Sequence, residues 1–121
     1  MIANKLLYVI SHGPYSNAAG QEALEAIMIG ASFEQMVSVL FVHDGVFQIK
    51  HYQQKDQPTE VKEYTKTFQA LSDFGVENFY CLESSLSARG LDAEQLIITT
   101  QIIDEASVNQ LIQQQYRVFT F

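Results

Sequence analysis

The sequence predicts an α/β fold: one three-layer αβα domain over residues 1–121, built on a five-stranded, mainly parallel sheet. Three observations carry this expectation. Short apolar runs recur along the chain, each the length of a strand buried on both faces. Between most of them lie segments whose apolar residues repeat at helical spacing. The 121 residues contain no linker and no internal repeat, and that length is close to one ordinary domain. Strands alternating with helices imply right-handed βαβ units and a sheet covered on both faces.

The first strand is read from Lys5 to Ser11 (KLLYVIS). His12-Gly13-Pro14-Tyr15-Ser16 follows as a loop, with glycine and proline as breakers. Asn17 is placed to cap a helix over 18–33, in which Ala23, Leu24, Ile27, Met28 and Ala31 share one face. Gly20 and Gly30 each weaken that helix by about 1 kcal/mol relative to alanine, so close backbone packing is expected at them. Val37 to Val42 is a second strand, ended by His43-Asp44-Gly45, and Val46 to Ile49 is a hydrophobic turn or short helix. Lys50 to Thr59 is polar and reads as a surface loop. A helix over Val61 to Phe74 aligns Val61, Tyr64, Phe68 and Leu71, with Gly75 as its C-cap. The third strand is Asn78 to Leu82, followed by a short helix from Glu83 that closes at Gly90. A fourth strand lies within Leu96 to Ile103, a helix runs from Glu105 to Gln115, and Tyr116 to Phe121 is the fifth strand.

Composition narrows the function classes. Hydrophobic residues make up 47% of the chain, which suits a globular protein rather than a disordered one. No apolar run approaches the roughly 18 residues that span a membrane, and the N-terminus lacks the layout of a signal peptide. A single cysteine fits a reducing compartment, so a cytoplasmic location is expected. The 14 acidic and 7 basic side chains leave a net charge of −7. Nucleic-acid affinity draws on Lys and Arg neutralising phosphates, so direct nucleic-acid binding is not expected.

Functional groups in such folds gather beyond the carboxyl ends of the strands. Those ends supply Ser11-His12, His43-Asp44 and the Cys81 region. Gly13 and Gly20 are too far apart for a dinucleotide fingerprint, and no Gly-Lys-Ser/Thr step is present. The first loop has room only for a small anion nest, against the plainer reading of ordinary breakers. A receiver-type phosphorylation domain needs an acidic pair after the first strand and an Asp after the third; Ser11-His12 and Leu82-Glu83 supply neither. No serine has the Gly-x-Ser-x-Gly context of a hydrolase elbow. His12, His43, Asp44 and Cys81 are residue types that suit zinc, but they are scattered singly, so no metal or cofactor site is assigned.

Cys81 is the one candidate catalytic residue. A thiol where a strand meets a helix N-terminus can have a depressed pKa and act as a nucleophile. Its sequence neighbours argue otherwise: none is basic, Arg89 is at the far end of the following helix, and Glu83 would raise the thiol pKa if close. Free cysteine also packs readily as a small hydrophobe. The residues alone therefore favour packing and leave a persulfide-carrying thiol as the alternative.

Two blocks of sequence match a known family. Asp44-Gly45-Val46-Phe47-Gln48, preceded by Phe41, is one; Ser85-Leu86 followed by Arg89-Gly90-Leu91 is the other. Pro14, Gly20, Glu22, Ala23 and Leu24 add to them, as do Tyr64, Phe68 and Leu71. On these residues the chain resembles, over nearly its whole length, the TusC-type (DsrF-like) members of the DsrE/DsrF family. The resemblance implies a subunit of a TusBCD-type heterohexamer with TusB-like and TusD-like partners. That assembly passes persulfide sulfur to a TusE-like acceptor and on to the wobble uridine of tRNA as 2-thiouridine. It also implies a subunit that does not itself carry sulfur, the sulfur-carrying cysteine belonging to the TusD-like partner; the equivalent DsrF subunit in sulfur oxidation is the other context it allows. Carried onto this chain, the family's sulfur-carrying cysteine falls at Leu82, one residue beyond Cys81. A one-residue shift in a strand turns the side chain to the opposite face. Phe33, Phe47, Phe74 and Phe79 are expected either at subunit contacts or in the domain's own core.

Overall fold

The computed structural model describes residues 4–13, 19–33, 35–50, 67–76 and 78–121. Strand β1 (Lys5–Ile10) leads to helix α1 (Ala19–Ser32) and strand β2 (Met36–Phe41). A run of 3₁₀ turns over His43–Ile49 follows β2. Residues 67–70 are helical and tighten into a further 3₁₀ turn at Leu71–Phe74. Strand β3 (Asn78–Leu82) passes directly into helix α2 (Glu83–Ala88). Strand β4 (Gln101–Ile103), helix α3 (Glu105–Gln113) and strand β5 (Arg117–Thr120) complete the chain.

The five strands form one sheet in the order β4-β3-β2-β1-β5, and every strand pair is parallel. The α/β class and the five-stranded sheet are therefore as expected. Side-chain alternation divides the sheet between two cores. Tyr8, Ile10, Val37, Val39, Phe41, Phe79 and Cys81 face the larger core, with Ile27 of α1, Val46 and Ile49 of the 3₁₀ run, and Phe68 and Leu71. Leu7, Val9, Leu40, Val42 and Leu82 face the smaller one, closed by Leu111 of α3. Phe41 and Phe68 meet edge to face at 5.6 Å, which fixes the 67–74 segment over the centre of the sheet.

The glycines behave as their positions demand. A Cβ on Gly30 would press on the Tyr8 hydroxyl, so this glycine lets α1 approach β1. Gly75 ends the Leu71–Phe74 turn in the left-handed region at φ +95°, and its N–H bonds the Leu71 and Ser72 carbonyls.

The structure narrows two further expectations. The fourth strand, expected within Leu96 to Ile103, pairs with β3 only over Gln101–Ile103. Upstream, Leu96 forms an antiparallel bridge with Lys50, and the Ile97 N–H donates to the Ile49 carbonyl. That tie draws the chain away from β3. Phe79 is 7% exposed and belongs to the larger core, the second of the two places expected for it, whereas Phe33 and Phe74 are 71% and 51% exposed. The Asn17 cap, the loop from Pro14 to Ser16, most of the Lys50–Thr59 loop and the Val61–Tyr64 part of the second helix lie outside the described residues.

Candidate functional site

The carboxyl ends of β1, β2 and β3 bring together the residues that the sequence placed there singly. Beyond β1, the Ser11 hydroxyl donates to the Phe121 carbonyl at 2.8 Å. This ties the exit of β1 to the end of the chain. Beyond β2, the Val42 N–H donates to the Ile10 carbonyl at 3.0 Å, and Gly45 comes so close that an added Cβ would overlap that carbonyl. Gln48 is buried, and its amide donates to the His12 carbonyl at 3.0 Å; its Oε1 has no hydrogen-bond partner among the described residues. The 3₁₀ run is thus sealed against the exit of β1.

Its other side is clamped by α2. The His43 N–H donates to the Ser85 hydroxyl at 2.8 Å, Arg89 Nε pairs with Asp44 Oδ1 at 2.9 Å, and Arg89 Nη1 donates to the Ser85 carbonyl at 3.1 Å. Ser85 is buried, and Leu86 beside it enters the larger core. The two sequence blocks that carried the family resemblance are therefore one physical unit across the ends of β2 and β3. Ser85 and Arg89 belong to the matching blocks, but nothing in sequence order shows that they bind His43 and Asp44, about forty positions upstream.

Cys81 lies inside this arrangement, not at its surface. It pairs with Phe41 of β2 and Ile102 of β4 and has no solvent exposure. Burial pushes its thiol up from the ordinary 9.0 to about 12, because a thiolate loses its hydration in an apolar core. The Thr100 hydroxyl beside it opposes this in part, although that hydroxyl is buried without a well-placed hydrogen bond. Thr100 carries no signal in the sequence that would link it to Cys81. Leu82 points to the opposite side of the sheet, into the smaller core, and is itself 8% exposed. The expected one-residue reversal between Cys81 and Leu82 is present.

The remaining candidates do not converge on a metal. His12, His43 and Asp44 are exposed at the strand ends while Cys81 is enclosed. Among the described residues no group of three or more His, Cys, Asp or Glu is placed to hold a metal ion. Past the ends of β3 and β4, Glu83, Ser84, Ser87, Asp104, Glu105 and Ala106 line an open groove of about 520 Å³. Its three carboxylates give it a negative field. The Asp104 carboxyl is held below its usual range by the Ser107 N–H that it accepts as the cap of α3.

An all-parallel five-stranded αβα domain, with a thiol at the third strand's end and a clamped turn beside it, defines a class of small α/β proteins. The chain belongs to the DsrE/DsrF-like family, whose model matches residues 4–121. It is 32% identical to the intracellular sulfur oxidation protein DsrF of Allochromatium vinosum, over 99% of this chain and 98% of that one. It is also 32% identical to the TusC homolog of Pseudomonas aeruginosa, over 98% of this chain and 99% of that one. The crystal structure of the ychN protein from E. coli superposes with a TM-score of 0.77 at 17% identity, covering 98% of this chain and 99% of that chain. That likeness supports the fold.

Proposed function

We propose that this chain is a non-catalytic subunit of a TusBCD-type sulfur relay complex that serves 2-thiolation of the wobble uridine of tRNA. One observation supports the non-catalytic part above all: the only thiol is fully enclosed and its pKa lies near 12. A persulfide carrier needs an accessible thiolate at neutral pH. Here the position that the family resemblance gives to the sulfur-carrying cysteine is Leu82, which has no chemistry to offer. The likeness to the TusC homolog, together with the net charge of −7, supports a chain that reaches tRNA through partners. TusB-like and TusD-like chains would complete the heterohexamer, and a TusE-like protein would accept the sulfur.

Co-expression with TusB-like and TusD-like chains tests this reading. A tagged copy of this chain should retain both through purification. Recovery of this chain alone would remove the basis for a subunit role. The equal identity to DsrF of Allochromatium vinosum favours one second reading, the corresponding subunit in sulfur oxidation. Deleting the gene and measuring 2-thiouridine in bulk tRNA separates the two. Loss of the modified base supports the tRNA role, and unchanged levels support the oxidative one.

A further inference from the structure

His43 is the only non-glycine residue with positive φ among the described residues, at +50°. A non-glycine side chain costs about 1 kcal/mol or more in that region and stays there only when its surroundings impose it. The surroundings here are specific. The His43 N–H is held by Ser85 of α2, and the next residue's carboxylate by Arg89, which caps the C-terminal end of α2. On the opposite side, Gly45 is wedged against the Ile10 carbonyl. The imidazole itself is exposed, so no packing of the ring accounts for the backbone shape.

We propose that His43, Asp44, Ser85 and Arg89 form a conformational latch, in which α2 holds the exit of β2 in a left-handed state that relaxes when α2 lets go. The inner half of the latch is the contact with Ser85, itself a buried residue. Its outer half is the Asp44–Arg89 pair, whose side chains are 65% and 22% exposed. The outer half is therefore the part of the latch that meets solvent. Release frees the His43–Ile49 turn from α2 while the sheet remains paired. This device stands on the geometry and does not depend on the sulfur relay reading.

A thermodynamic cycle tests it. His43→Gly removes the conformational strain without touching the clamp. In the full-length chain it should raise Tm by roughly 2–6 °C. In an Arg89→Gln background, which mimics the released latch, the same glycine should raise Tm by less than half as much, because His43 has already relaxed. Amide exchange adds a direct readout: the His43 N–H should exchange at least about tenfold faster in Arg89→Gln than in the parent chain. Equal gains in both backgrounds, a lower Tm for His43→Gly, or unchanged exchange at His43 would each overturn the latch. Ser85→Ala provides a second released form by removing the buried contact, and the same loss of the glycine gain is expected there.

Discussion

A thiol becomes a nucleophile by ionising, and ionisation requires water, a positive neighbour or a helix dipole within reach. Cys81 has none of the first two, being packed with Phe41, Phe68 and Phe79 in the larger core. The consequence for stability follows from linkage. Its folded pKa of about 12 lies above the ordinary 9.0, so the native state binds the thiol proton more tightly than the unfolded chain does. The stabilisation is fully present below about pH 9 and is lost as pH rises towards 12. Melting curves at neutral pH and at about pH 10 should show a larger alkaline loss of Tm in the parent chain than in Cys81→Ala. An equal loss in both would mean that the thiol is accessible. Gly45 carries a second prediction at this scale. Gly45→Ala would force a methyl group into the Ile10 carbonyl and should cost more than about 2 kcal/mol in urea unfolding. A change below about half that would show that the 3₁₀ run can shift away from β1. The sequence marked Gly45 as part of a motif, but the reason for it lies in the carbonyl of another strand.

The elements show where local pattern suffices. The strand Asn78–Leu82 was legible to the residue because its apolar run is bounded by a glycine-ended turn and a serine-rich helix start. The alternation that separates Cys81 from Leu82 was legible for the same reason. β4 was not, because LIITTQII has strand propensity throughout and only the Lys50–Leu96 and Ile49–Ile97 contacts decide where pairing begins. The clamp between α2 and the His43–Ile49 run was equally hidden, since its partners are distant in sequence. Helix α3 depends on one buried side chain, Leu111, to cover Leu7, Val9, Leu40, Val42 and Leu82. Leu111→Ala should therefore destabilise the fold by about 2–4 kcal/mol in urea unfolding. A loss under about 1 kcal/mol would show that the smaller core closes without α3.

At the scale of the molecule, two properties stand together. The chain is acidic, with a net charge of −7, and its groove at the ends of β3 and β4 is lined by carboxylates. It also exposes Ile29, Phe33, Phe74, Tyr116 and Phe119, each at 40% or more. Large exposed apolar side chains in this number are what a subunit interface supplies, and the acidic surface gives little to a nucleic acid. No described helix is long and apolar enough to cross a membrane. These features fit a family member that works within an assembly, with its own thiol sealed away. If Cys81 carries no sulfur, incubating the folded chain with a persulfide donor should leave it unmodified, which intact-protein mass measurement reads. The expected mass is unchanged. An adduct of about 32 Da that disappears in Cys81→Ser would contradict it.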